Sequence, residues 1–163
     1  MNVISVDGLH KGYFRKRVLE GVSFLLPRGS VTGLVGENGV GKTTLLKLLL
    51  GLLEPEAGEI RVFNLPAFAH GLRVRQRAGY VPDEFMLYPW MTAPELCRFV
   101  GVFYPTWDAA LADRLLAEFS LPPAAKIRTY SKGMKMRLLL TLALAPQPEL
   151  LILDEPLSGL DPV

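Results

Sequence analysis

Residues 36–44 read Gly-Glu-Asn-Gly-Val-Gly-Lys-Thr-Thr, and residues 150–155 read Leu-Leu-Ile-Leu-Asp-Glu. The first stretch has the spacing G-x-x-x-x-G-K-[ST] through Gly36, Gly41, Lys42 and Thr43. Glycine lets a backbone turn with successive N–H groups facing one concavity, which suits phosphate oxygens. In such a loop Lys42 would reach the β- and γ-phosphates of a nucleotide, and the Thr43 hydroxyl would ligate Mg²⁺. The second stretch ends an apolar run in two acids. Asp154 at its tip could hold Mg²⁺ directly or through water, and Glu155 could orient and deprotonate an attacking water. An Asp-Glu pair after an apolar run means little alone; beside a phosphate loop it points to nucleotide hydrolysis. The binding candidates in the loop are Gly36, Asn38, Gly39, Gly41, Lys42, Thr43 and Thr44. The metal candidates are Thr43 and Asp154, and the candidate general base is Glu155.

These residues need a strand before the phosphate loop and a helix after it. Val31-Thr-Gly-Leu-Val35 is apolar enough to be that strand, and Thr44 to Leu53 reads as the helix, whose N-terminus favours an anion. Leu150 to Leu153 reads as a strand buried on both faces, as its continuous apolar side chains suit. Upstream, residues 2–7 and 18–26 alternate loosely and predict short strands joined through Gly12-Tyr13. Pro27-Arg-Gly29 marks a turn, Glu54-Pro-Glu-Ala-Gly58 breaks the chain after the first helix, and Ile60 to Phe63 and Ala78 to Val81 read as further strands. From Thr92 the character is helical, with Thr92 and Glu95 spaced as a capping box. A second helix follows Trp107, with Leu111, Leu115 and Phe119 as one apolar stripe of the core. Pro122-Pro123 closes this stretch, so residues 84–128 are read as a mainly helical insertion in an α/β domain.

Composition narrows the class. The chain has 163 residues, half of them apolar, which is one domain's worth and enough for a substantial core. Its 18 basic and 16 acidic residues leave a net charge of +2, too balanced to name nucleic acid as the main partner. Arg15-Lys16-Arg17 and Arg73, Arg75 and Arg77 read as solvated surface. Cys97 is the only cysteine, so no intrachain disulfide forms. A single Cys in a helix is expected to be a small buried apolar group in a reducing, cytosolic setting. The first residues lack the charged and apolar regions of a signal peptide. The apolar run Leu45 to Leu53, interrupted by Lys47, is far shorter than the ~20 residues of a membrane span.

Two further stretches complete a set: Tyr130-Ser-Lys-Gly-Met-Lys135 upstream of the acid pair, and Leu157-Ser-Gly-Leu-Asp-Pro162 beyond it. With these the sequence resembles the nucleotide-binding subunit of an ATP-binding-cassette (ABC) transporter, from about residue 3 to the last residue. Residues 36–44 match Walker A, 150–155 Walker B with its catalytic glutamate, 157–162 the D-loop and 130–134 the signature motif, in the form familiar from small bacterial ABC ATPases. The resemblance implies an α/β P-loop NTPase core with an antiparallel β edge and an inserted helical subdomain. It places Tyr13 where an aromatic stacks on adenine. It also implies ATP with Mg²⁺, and a second nucleotide-binding domain facing this one head to tail. Ser131 and the backbone N–H of Gly133 would contact the γ-phosphate held by the partner. A membrane permease would dock on residues 84–128, putting the chain peripherally on the cytoplasmic face of the membrane.

The sequence departs from the family at three places. Asp83 stands where glutamine is usual after Gly79-Tyr-Val-Pro. It offers a carboxylate and no donor, and two readings stay open: a nucleotide-site residue, or a residue that turns the chain after Pro82. Glutamine is common in the family at one or other of the positions of Met134 and Met136, and Lys132, Lys135 and Arg137 make this helix start basic, which could assist γ-phosphate contact, with a solvated basic face as the other reading for Arg137. The family's switch histidine has no counterpart: His10 and His70 precede Walker B and read as ordinary surface or loop histidines. The family's strand after Walker B, which inserts between the Walker A and Walker B strands, has none either, so the chain is expected to be a C-terminally truncated piece with a gap in its sheet. The expected function is ATP binding and hydrolysis that powers a membrane transporter. The alternatives are a nucleotide-binding module that does not hydrolyse, and a soluble ABC ATPase acting on ribosomes or DNA.

Overall fold

Residues 2–14, 16–84 and 86–155 are described by a computed structural model. Arg15 and the 157–162 motif lie outside the described residues. The chain divides into two units, residues 1–75 and 76–163.

In the first unit, β1 (Asn2–Tyr13) and β2 (Lys16–Pro27) form an antiparallel hairpin whose register runs from Tyr13↔Lys16 to Asn2↔Pro27. Both strands outrun the expected 2–7 and 18–26. Hairpin pairing carries the polar stretch after Val6 into the ladder, with register shifts between Val6 and Leu9 and between Leu9 and Lys11. The other edge of β1 pairs antiparallel with β3 (Ala57–Val62), and β3 with β4 (Leu65–Pro66), giving the order β2-β1-β3-β4. Helix α1 (Lys42–Leu49) lies against β3 and buries Leu45, Leu48 and Leu49, which a 3.6-residue period places on one side.

The end of α1 is built with care. The amides of Gly51 and Leu52 donate to the carbonyls of Leu48 and Lys47 at 3.0 and 2.9 Å, the paired bonds of a Schellman cap. Gly51 sits at φ +63, and a Cβ there would collide with the Ala67 carbonyl, so no other residue fits. Arg75, on α2 (Gly71–Gln76), donates from Nη1 to the carbonyls of Leu50 and Gly51 at 3.1 and 3.4 Å. Arg75 is therefore a helix-end cap rather than solvated surface: its spacing in sequence gives no sign of the carbonyls that fold beside it.

In the second unit, β5 (Ala78–Val81) and β6 (Leu150–Leu153) pair in parallel, Ala78↔Leu150 to Val81↔Leu153. Helix α5 (Lys132–Leu144) packs on β5 through Met136, Leu139 and Ala143 around Val81. Gly79 permits that approach, since a Cβ there would meet the Ala143 carbonyl. Helices α3 (Ala93–Gly101) and α4 (Ala109–Glu118) share a second core with Tyr130 and Leu138. The capping box forms as its spacing predicts: Glu95 Oε2 accepts from the Thr92 amide at 2.7 Å, and Thr92 Oγ1 accepts from the Glu95 amide at 3.4 Å. Cys97 is buried on α3, where desolvation pushes its thiol up to about 11. Arg77 pairs with Glu149 at 2.6 Å, and Arg137 donates to the carbonyl of Phe119, the C-cap of α4, at 3.3 Å. Neither is a free surface cation.

Three expectations need correction. Residues 31–35 form no strand: they pair with no strand among the described residues, and Val31 and Val35 are fully exposed. An apolar run becomes a strand only where a neighbour offers its ladder, which composition alone cannot supply. On β6 only Ile152 is buried while Leu151 and Leu153 are 40% exposed, so one face is open rather than both covered. On α4 the buried residues are Ala112 and Leu116, with Leu111 and Leu115 half-buried; the helix is rotated by about one residue from the leucine stripe. Smaller shifts also occur: α1 starts at Lys42 and ends at Leu49 rather than running from 44 to 53.

The caps of α3 and α4 make the second unit acid-sensitive. The Thr92 amide, and then Lys126, hold the Glu95 carboxyl below its ordinary range; the Leu111 amide does the same for Asp108. A depressed carboxyl pKa gives stability that is present above the unfolded-state pKa and lost as pH falls through the folded one. The melting temperature is expected to fall as pH drops below about 4, with E95Q and D108N each flattening part of that slope; an unchanged slope would exclude the caps as its source.

Candidate functional site

The phosphate loop is held in the first unit by its own backbone and by β2. The amide of Val40 donates to Glu37 O at 3.4 Å, closing a turn in which Gly39 has φ +78. Asn38 and Gly39 are the two central residues of that turn, where glycine supplies the positive φ. Gly41 follows at φ +111, and a Cβ on it would lie 2.6 Å from Val18 Cγ1 and 3.2 Å from Leu19 Cδ2. The loop therefore rests on Val18 and Leu19. Sequence reading missed both, because an alternating strand does not announce which loop it will carry.

Lys42 folds back over the loop, its ammonium donating to Gly36 O at 2.7 Å and Glu37 O at 3.2 Å. These two bonds tie the cation to the backbone of the loop. Helix α1 starts at the same point with Gly41 as its N-cap, in the left-handed region, and no side chain caps it. The contrast with the other long helices is direct: α3, α4 and α5 are capped by the side chains of Thr92, Asp108 and Ser131. A helix start lacking both a side-chain cap and an acid in its first turn leaves amide dipoles turned toward an external anion. Thr43 is exposed and Thr44 half-buried on that first turn. Tyr13 ends β1, nearly half exposed, with Lys11 Nζ 5.8 Å from its ring centroid.

In the second unit the candidate acids gather where β5 and β6 end. The Asp154 amide donates to Val81 O at 2.9 Å, extending the parallel ladder by one bond. Its side chain is buried, and Oδ2 has no hydrogen-bond partner among the described residues. Glu155 follows, exposed, with φ +48. Asp83 is two residues past the end of β5. Tyr80 reports on this arrangement: burial, then the charges of Asp154 and Asp83, push its phenol up. Sequence reading did not single out Tyr80, which lies in an apolar strand motif. Ser131 N-caps α5, its Oγ accepting from the Met134 amide at 3.2 Å. That leaves its hydroxyl proton available to an acceptor, and Gly133 lies in the first helical turn, where amides lack intrahelical partners.

The profile of the ABC transporter family matches residues 19–158. This chain belongs to the ABC transporter family. It is 38% identical to a Nod factor export ATP-binding protein I of Ralstonia nicotianae, over 98% of this chain and 51% of that protein. It is 36% identical to the linearmycin resistance ATP-binding protein LnrL of Bacillus subtilis, over 98% of this chain and 53% of that protein. This ABC family chain thus spans about half the length of the curated relatives it matches. Among solved structures it superposes on an ATP-binding subunit of an ABC transporter with a TM-score of 0.87 and 34% identity, covering 98% of this chain and 69% of that one. The fold is that of the P-loop ABC ATPases, mixed α/β with an antiparallel sheet. Among the described residues no helix is long and apolar enough to cross a membrane.

The loop's support by β2 is testable. Gly41→Ala is expected to destabilise the chain by about 1–3 kcal/mol in urea denaturation, through the positive φ and the contact with Val18. Adding Val18→Ala should recover the contact part, since touching sites are not additive. A neutral Gly41→Ala would mean that the loop does not rest on β2.

Proposed function

We propose that this chain binds Mg-ATP and forms the hydrolytic part of a subunit that powers a membrane ABC exporter. The observation that carries the reading is the start of α1: an uncapped helix N-terminus behind a left-handed glycine, with Lys42 held over the loop by two carbonyls. That combination presents amide dipoles and one fixed cation to a polyphosphate. Export follows the name of the Nod factor export ATP-binding protein, and the linearmycin and daunorubicin resistance ATP-binding proteins are in keeping with it.

The donor set fits Mg²⁺. A buried carboxylate oxygen without a partner is costly unless a cation meets it, and Asp154 Oδ2 is such an atom. Thr43 and Asp154 would hold the ion, leaving its remaining positions to water and phosphate, as Mg²⁺ prefers. Bound Mg²⁺ would neutralise charge that develops on the transferred phosphoryl group. Lys42 would exchange its bonds to Gly36 and Glu37 for β- and γ-phosphate oxygens, and the amides of residues 39–44 would line the same phosphates. Tyr13 would stack on the adenine. Glu155, exposed beside Asp154, would orient a water and take its proton.

Ser131 and Gly133 would act in trans on the nucleotide of a second nucleotide-binding domain, so that ATP holds the pair together. The helical subdomain, residues 84–128, would dock the permease at the cytoplasmic face of the membrane. Tyr88, Trp90, Phe99 and Phe103 support that reading, since they form an edge-to-face series that is partly exposed, as interaction surfaces are. No nucleic-acid partner is proposed.

Glu155→Gln is expected to leave Mg-ATP affinity within a few-fold and to lower turnover by about 10²–10⁴, the usual share of a positioned base. Phosphate release assayed in the intact protein with its partner domain checks this, and unchanged turnover would remove Glu155 from the role. Normal binding with no hydrolysis even in the unsubstituted protein would favour a non-hydrolysing module.

A further inference from the structure

In the second unit, residues 86–90 and Ile127 wall a cavity of about 480 Å³, and Arg128 and Lys135 complete its lining. That volume falls within the roughly 300–1,000 Å³ of small-molecule sites. Backbone bonds fix the walls before any ligand arrives. The Met91 amide donates to Tyr88 O at 3.1 Å, the Ile127 amide to Met91 O at 2.9 Å and the Arg128 amide to Pro89 O at 3.0 Å. Tyr88 also packs edge to face with Trp90, ring centroids 5.4 Å apart, which restricts both rings.

The apolar part of this lining is left in water: Met86 is 99% exposed, Trp90 63% and Tyr88 40%. Large apolar side chains gathered around one hollow mark a binding groove, unlike the same residues scattered singly over a surface. The charged part carries cations only. No carboxylate lines the cavity among the described residues, and neither Arg128 nor Lys135 is paired with one there. Arg128 belongs to the short 3₁₀ turn Ile127–Thr129 and Lys135 to the start of α5. The fork of N–H donors on Arg128 and the ammonium of Lys135 suit a carboxylate, sulfonate or phosphate group.

We propose that this cavity binds a small amphiphilic anion, with an apolar or aromatic body against residues 86–90 and Ile127 and one anionic head on Arg128 and Lys135. Neither the phosphate loop nor the acids after β6 take part, so the site stands whether or not nucleotide binds. Tyr88 and Trp90 also belong to the aromatic series offered above to the permease, and a bound amphiphile would occupy part of that face. A free small molecule fits the cavity better than a bilayer does. Membrane surfaces take a protruding apolar face with cations around it, whereas here the cations line the same hollow as the rings.

The test is titration of the intact chain with decanoate, decanol and decyltrimethylammonium, which share one alkyl chain and differ in head charge, each below its micelle-forming concentration. Tryptophan emission reads the binding, since Trp90 is one of only two tryptophans. Decanoate is expected to saturate at a single site and to bind about tenfold or more tightly than the other two, the share of a charge-assisted contact. Replacing both cations, Arg128→Gln with Lys135→Gln, should weaken decanoate about tenfold or more and leave decanol within about threefold. The emission change should vanish in Trp90→Phe. A thermal melt shows which variants are folded, and the comparison of the three amphiphiles on the unsubstituted chain needs no variant. No saturable decanoate binding, equal affinity for all three amphiphiles, unchanged decanoate affinity in the folded double variant, or an emission change that persists in Trp90→Phe would each overturn the proposal. Association with vesicles of anionic phospholipid by a chain that ignores decanoate would also overturn it, and would assign this face to the bilayer.

Discussion

A helix start that no side chain caps is the constraint around which the first unit is organised. Three of the long helices satisfy their first amides with Thr92, Asp108 or Ser131. α1 instead begins behind Gly41 in a conformation that favours glycine, and the chain before it curls so that Lys42 can bond Gly36 and Glu37. Unsatisfied helix amides lose free energy unless water or an anion meets them. The unit concentrates its rigidity on holding that arrangement: Val18 and Leu19 floor the loop, and Gly51, Leu52 and Arg75 lock the far end of the helix. The fixed end and the open end belong to the same eight-residue helix.

The second unit sets a matching problem of opposite sign. Here the group short of a partner is an acceptor, Asp154 Oδ2, placed at the end of a parallel strand pair whose ladder carries it there. Parallel strands converge their carboxyl ends on one edge, where ligands of open α/β sheets bind.

Much of this was legible from residues alone, and the reasons differ from element to element. The turn of the phosphate loop and the capping box at Thr92 and Glu95 are local: spacing fixes their geometry, and the structure has them where spacing puts them. The failures are non-local. Val31 to Val35 is apolar but has no ladder among the described residues, and a strand is a property of two segments. Arg75, Arg77 and Arg137 read as surface charges, yet each meets a carbonyl or a carboxylate brought from elsewhere in the chain. The phase of α4 was set by what it packs on, not by its leucines. At the candidate site the residue types were legible; the burial of Asp154 and the support of Gly41 by β2 were not.

The central claim, that the open start of α1 is a polyphosphate site, is tested most directly by a thermal melt of this chain with and without millimolar Mg-ATP, alongside Lys42→Ala. A ligand that binds only the folded form at about 100 times its Kd adds about 2.7 kcal/mol, which raises the melting temperature by several degrees in a domain of this size. That rise is expected in the unsubstituted chain, and its loss in Lys42→Ala. A cooperative melt that Mg-ATP leaves unmoved, or one raised equally in both proteins, would contradict it.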